Sequence, residues 1–187
     1  EFSEAAPQER LYFLFIIEAR ELCNIFAFSK KTNMSVLPSS RTLIVKASSL
    51  PNAGNGLFTK IDLKKGDIVT EYKGRRRTWA QVENDVDNGY IYHIDDENVI
   101  DALKNVNTFG RYANDAAGLQ RVSGLRNNAE YFEDNKRVFI RATRSIKAGN
   151  EVLVSYGKRY WKQVTENILE DMKDGKHHEH HAPEIHH

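Results

Sequence analysis

The chain of 187 residues reads as a mainly β protein with short helices. Two observations carry that reading. From Leu43 onward, apolar β-branched runs recur in short pieces, among them Leu43-Ile44-Val45, Ile68-Val69-Thr70 and Glu151-Val152-Leu153-Val154. Between them lie closely spaced turn signals such as Lys64-Lys65-Gly66-Asp67 and Lys147-Ala148-Gly149-Asn150. Many short strands with frequent turns and few helical stretches define a β-rich domain. At this length the chain accommodates one domain with tails and a substantial core. Its 27 basic and 26 acidic residues nearly cancel, so no global field draws in nucleic acid. Cys23 is the single cysteine, which excludes a disulfide framework or a cysteine zinc cluster within the chain and fits a reducing, intracellular setting.

Residues 11–28 are the most apolar stretch, but Glu18, Arg20 and Glu21 interrupt it. That pattern suits neither a membrane span of about 20 uncharged residues nor a signal peptide. It reads as an amphipathic helix docked on the domain or on a second copy, which makes residues 1–40 an N-terminal extension and a candidate homodimer contact. Strands follow at Leu43–Val45, Leu57–Thr59 and Ile68–Tyr72, the last ending at Gly74. Gly74-Arg75-Arg76-Arg77 reads as a solvated turn. Thr78 caps an expected short helix to Val86, with Trp79, Val82 and Val86 on one face. Tyr90–Ile94 and Asn98–Ala102 form an expected hairpin, as do Ala129–Phe132 and Arg137–Ala142. Glu151–Tyr156 is the expected last strand. Tyr160–Met172 is helical in pattern, with Trp161, Val164, Ile168 and Met172 on one side. The histidine-rich tail beyond Lys176 reads as a disordered segment, and no metal site is assigned to it.

Three motifs stand out. Gly54-Asn55-Gly56-Leu57-Phe58 places two glycines in a loop whose backbone can approach a ligand closely. Arg111-Tyr112-Ala113-Asn114-Asp115-Ala116 sets polar side chains among turn formers. Glu151-Val152-Leu153-Val154-Ser155-Tyr156 ends an apolar run on a phenol just before Gly157. Taken singly, these describe a β protein with one buried tyrosine and one structural asparagine. In this order, and together with Glu71-Tyr72-x-Gly74, they resemble the SET-domain lysine methyltransferases over roughly residues 41–161.

The resemblance implies a SET-type β-clip of small sheets with a threaded, pseudoknot-like C-terminal segment, an arrangement rare among proteins. It sets the domain at 41–161, with a C-terminal helix and tail at 162–187. It implies S-adenosyl-L-methionine as cofactor, held by the backbone at Asn55, Gly56 and Leu57 and by Arg111, Tyr112, Asn114, Asp115 and Tyr156. Asn114 would act through its side chain, and its neighbour through main-chain groups toward the adenine. That neighbour is Asp115 where the family has His, and an insertion from Gly118 to Arg126 follows. Asn128 is expected to brace the knot. Trp161 serves either as an aromatic lid over the adenine or as the helix's core anchor.

The catalytic set implied is Tyr156, which orients the amine, with Tyr72 at the lysine channel and Tyr131 supplying a second hydroxyl that limits the number of methyls. Transfer needs a neutral amine, whereas free lysine titrates near pH ~10.4. A narrow dry channel favours the uncharged form, so no general base is demanded. The implied partner is a protein with a target lysine, a histone tail before others, with no direct nucleic acid and no membrane. The implied setting is nucleus or chromatin in a eukaryote or virus, cytoplasm in a bacterium. A SET-fold module that binds protein without catalysis is the second reading.

Overall fold

A computed structural model describes residues 39–85, 88–119 and 121–173. The apolar stretch at 11–28, with its expected dimer contact, and the histidine-rich tail lie outside those residues. After a single helical turn, α1 (Ser39–Thr42), eight strands follow: β1 (Leu43–Ala47), β2 (Asn55–Thr59), β3 (Ile68–Glu71), β4 (Arg75–Arg77), β5 (Ile91–Asp95), β6 (Asn98–Asp101), β7 (Ala129–Asp134) and β8 (Arg137–Ala142). The chain then ends its described course in α2 (Lys158–Lys173).

The strands form three small antiparallel sheets, ordered β1-β2, β3-β8-β7 and β4-β6-β5. Local chemistry explains the tight connections. The β7–β8 turn places Asn135 and Lys136 at φ 47° and 60°, the left-handed pair that matches the twist of a two-residue hairpin. The β1–β2 loop likewise uses Asn52 and Gly54 at positive φ. Val138, Phe139 and Ile140 of β8 are fully buried, because the central strand of its sheet is covered on both faces. Leu57, Val69, Ile140, Val152 and Val154 meet in the largest core cluster, and Val82 joins Ile91 and Val99 in a smaller one.

Four expectations are corrected. Arg75–Arg77 is a strand rather than a turn, paired with β6 from Arg75 opposite Asp101 to Arg77 opposite Val99. Its charged side chains suit an edge strand, and Arg77 donates to Asp101 at 3.2 Å. The helix expected at 78–86 is a 3-10 turn, Trp79–Gln81. One turn suffices to seat Val82 against Ile91 and Val99, while the Trp79 N–H bonds the Asp96 carbonyl at 2.7 Å. Met172 is 70% exposed, so α2 does not dock along the whole face that begins at Trp161.

The fourth concerns Glu151–Tyr156, which joins no sheet. It makes single bridges to three separate elements: antiparallel to Phe58, and parallel to Asn114 and Ala129. Val152 N–H bonds the Leu57 carbonyl at 2.7 Å, and Val154 N–H the Asn114 carbonyl at 2.8 Å. A segment that fills the gap between elements in this way has its partners on both sides, which is the threading the resemblance implies.

Glu151 anchors the crossing. Its carboxylate is 5% exposed and lies where a Cβ on Gly56 would sit, 2.1 Å from Oε1. Gly56→Ala should therefore lower stability by about 2 kcal/mol or more, since the added methyl displaces a buried, hydrogen-bonded carboxylate. An unchanged urea midpoint would remove that contact from the account. Acid stability follows from β3 and β8. Arg137 donates to Glu71 at 2.8 and 2.7 Å and holds its carboxyl below the usual range. The folded state thus binds a proton there less readily than the unfolded chain, so this stabilisation is present above about pH 4–5 and drains away as pH falls. Arg137→Met should flatten the loss of stability between about pH 5 and 3 in denaturant titrations; an unaltered slope would contradict the assignment.

Candidate active site

Three side chains knit the threaded segment to the turns it crosses. Asn128 donates from Nδ2 to the Glu151 carbonyl at 2.8 Å and accepts the Leu153 N–H on Oδ1 at 2.9 Å, a two-point splint on the passing backbone. The Glu151 carboxylate accepts from Ser48 Oγ and the Ser49 N–H, both at 2.7 Å, and from Asn114 Nδ2 at 3.3 Å. Asn114 Nδ2 also donates to the Asn55 carbonyl at 3.0 Å. Both protons of that amide are thus engaged, and Oδ1 is the atom it can offer to a ligand's donor.

Asp115, itself buried, gathers four donors. Oδ1 accepts from the Ala117 N–H and Asn127 Nδ2, and Oδ2 from the Tyr156 N–H and Trp161 Nε1, all at 2.7 Å. One carboxylate therefore positions the Asn114 turn, the end of the threaded segment and the first turn of α2. Trp161 lies against Gly118, where a Cβ would come within 2.6 Å of its ring. Its ring also stacks on Tyr156, with centroids 5.9 Å apart, and Tyr160 meets both rings edge-on.

Tyr156 turns its hydroxyl back onto the knot and donates to the Ala113 carbonyl at 2.9 Å. Its ring opens onto a small cleft of about 40 Å³ walled by Tyr72, Tyr90, Tyr92, Tyr131 and Arg111. The 3-10 turn Gly110–Tyr112 delivers Arg111 there, because Gly110 lets this turn pack on the end of β3: a Cβ would lie 2.9 Å from the Glu71 carbonyl oxygen. Tyr72 donates to the Tyr90 carbonyl at 2.8 Å, and Tyr92 to Glu133 at 3.0 Å. The Tyr131 ring meets Tyr72 edge-on at 5.7 Å, and its hydroxyl has no hydrogen-bond partner among the described residues. Burial pushes the phenols of Tyr72, Tyr131 and Tyr156 well up, so all three remain protonated across the physiological range.

The residues singled out from the sequence fall into two groups around one crossing. Tyr72, Tyr131, Tyr156 and Arg111 share the cleft, and Tyr112 turns away to donate to the Val106 carbonyl at 2.9 Å. Asn55, Gly56, Leu57, Asn114, Asp115 and Trp161 cluster about the knot. Within that group Leu57 gives its carbonyl to Val152, and Gly56 makes room for Glu151. Sequence reasoning passed over Tyr90, the Asn127 side chain and the four-donor role of Asp115. A carboxylate two residues after Ala113, in a turn with no basic neighbour beyond Tyr112, was the available signal for the last.

Known proteins resemble this chain over much of its length. Histone-lysine N-methyltransferase set-17 of Caenorhabditis elegans is 28% identical over 174 residues, covering 86% of this chain and 56% of that protein. Histone-lysine N-methyltransferase set-1 of the same organism is 29% identical, covering 61% of this chain and 50% of that protein. The chain thus spans about half the length of these two relatives. The methyltransferase domain of human PR domain-containing protein 2 superposes with a TM-score of 0.46 at 23% identity, covering 65% of this chain and 80% of that one. The SET domain family matches residues 54–157, more than half of the chain and the whole span from the two-glycine loop to the glycine after Tyr156. The chain belongs to the SET-domain family.

Proposed function

We propose that this chain is an S-adenosyl-L-methionine-dependent protein-lysine N-methyltransferase that acts on a histone or another basic protein tail. One observation carries the reading: the protonated phenol of Tyr156, fixed on the Ala113 carbonyl at 2.9 Å, joins the Asn114 turn to a tyrosine-walled cleft. The relatives' names, histone-lysine N-methyltransferases, support the substrate class. A histone substrate would set the protein at chromatin. Residues 41–161 are the working unit in this reading.

The residues about the knot fit the methyl donor. Asn114 Oδ1 suits an ammonium donor, main-chain groups at Asn55 and Asp115 flank it, and Trp161 with Tyr160 presents an aromatic face of the kind on which a purine stacks. Arg111 and Tyr112 lead the chain into that turn. When bound, the donor supplies a sulfonium methyl: a C–N bond forms on the lysine as the C–S bond breaks to a neutral thioether, and the surplus proton on nitrogen goes to water.

What the protein contributes is position and dryness. Tyr156 cannot serve as a base, because burial keeps its phenol protonated. It holds its hydroxyl and the Ala113 carbonyl as paired markers for the incoming amine, and such alignment supplies much of the rate by removing orientational freedom. Tyr72 and Tyr92, tied at their hydroxyls to Tyr90 and Glu133, wall the cleft against water. Tyr131 lines the same cleft, where in this reading its hydroxyl limits the space for added methyls.

Two mutations test this. Tyr156→Phe should lower transfer of radiolabel from S-adenosyl-L-methionine to core histones by about 100-fold or more, with the melting temperature nearly unchanged; full activity in the folded variant would end the proposal. Tyr131→Phe should shift the products, read by mass spectrometry, toward higher methylation, and an unchanged product distribution would deny Tyr131 its limiting role.

A further inference from the structure

Arg111 is the charge in the cleft that the mechanism above leaves unused. It is 8% exposed, and its Nε is buried with no hydrogen-bond partner. Among the described residues it forms no ion pair. What touches the guanidinium is aromatic: Cζ stands 4.0 Å from the centroid of Tyr90 and 5.3 Å from that of Tyr112. A buried arginine normally meets a carboxylate or several carbonyls, because an uncompensated interior charge is destabilising. An arginine held in the wall of a cleft without such partners keeps its field available to whatever enters.

No carboxylate among the described residues pairs with Arg111 directly. The cleft faces Arg111 with Tyr72 at the end of β3, Tyr90 before β5, Tyr92 on β5, Tyr131 on β7 and Tyr156 after the threaded segment. Tyr72, Tyr92, Tyr131 and Tyr156 are neutral, since burial raises their phenols. Three carboxylates lie within electrostatic reach of these tyrosines, and each is engaged elsewhere. Asp101 is bonded by Arg77 and Asn88, Asp115 by four N–H groups, and Glu133 by the Tyr92 hydroxyl. The positive charge of Arg111 is felt at Tyr72, where it works against the effect of burial.

An aromatic box of this kind would by itself attract an ammonium ion through the ring faces. Here one face, that of Tyr90, is already occupied by the guanidinium. We propose that Arg111 sets the protonation state of the substrate: an uncompensated cation in the cleft wall that repels a lysine ammonium and admits the neutral amine. The inference rests on reading the cleft as the lysine channel. It gives the chain a means of its own to discharge the nucleophile, in addition to desolvation and the positive methyl donor. Arg111 acts here as a charge-setting residue and forms no bond to the reacting atoms.

The test is the pH dependence of kcat, at saturating core histones and saturating radiolabelled S-adenosyl-L-methionine, over roughly pH 6–10. Removing a nearby like charge raises the amine's pKa, so Arg111→Met should move the acid limb upward by about one pH unit or more. Arg111→Lys, which keeps the charge, should hold the limb near its native position. The KM for the methyl donor should stay within about threefold in both. A uniform loss of rate with the limb unmoved would assign Arg111 a structural role, and a large rise in donor KM would assign it to the donor's carboxylate; either overturns the proposal while leaving the methyltransferase reading intact. No labelling by the native protein at any pH overturns both. Should Arg111→Met lack a cooperative melt, Arg111→Gln carries the same comparison.

Discussion

The buried carboxylate of Glu151 is the contact on which the arrangement depends. It sits under Gly56 and accepts hydrogen bonds from Ser48, Ser49 and Asn114, residues separated from it by 37 to 103 positions in the chain. Two loops are thereby fixed on one short segment that has no sheet of its own. Asn128 then clamps the main chain of that segment at Glu151 and Leu153. Interior polar groups are stabilising only when satisfied, and these are satisfied by groups from different parts of the chain. Hence the knot forms as a unit, and Tyr156, at its exit, is located by it.

Charge is distributed in a consistent way about the crossing. Two interior carboxylates, Glu151 and Asp115, are met mainly by N–H and O–H donors rather than by cations. The interior cation, Arg111, is met by aromatic faces rather than by carboxylates. The carboxylates hold the backbone of the crossing, while Arg111 stands without an ion pair among the described residues in the wall of a tyrosine-lined cleft. Methyl transfer to an amine calls for such a division, with a polar cradle for the donor and a dry, cation-averse channel for the nucleophile.

Much of this was legible beforehand. Short β-branched runs with turn residues between them located seven of the strands, and Asn114 and Tyr156 were singled out on motif order alone. The misses have physical causes. Arg75–Arg77 carries no apolar residue, so nothing in its pattern marks a strand; pairing with β6 and the Arg77–Asp101 contact make it one. Glu151–Tyr156 has the composition of a strand, yet its hydrogen bonds run to three elements, which is a tertiary fact invisible to local pattern. The glycines of the first motif were read as letting the backbone approach a ligand, and nothing in the local pattern showed that Gly56 also makes room for the Glu151 carboxylate. Asp115 was read through its backbone, and its carboxylate proved to link Tyr156 and Trp161. In each case the partner lay dozens of residues away.

Calorimetric titration of the full chain with S-adenosyl-L-methionine tests the central claim most directly, since it needs no knowledge of the acceptor protein. A threaded segment that builds a donor cradle beside Asn114 predicts saturable heat at a single site. It also predicts that Asn114→Ala, in a variant that still melts cooperatively, weakens that binding. A flat titration of the folded native protein would mean that the crossing holds the chain together without forming a cofactor site.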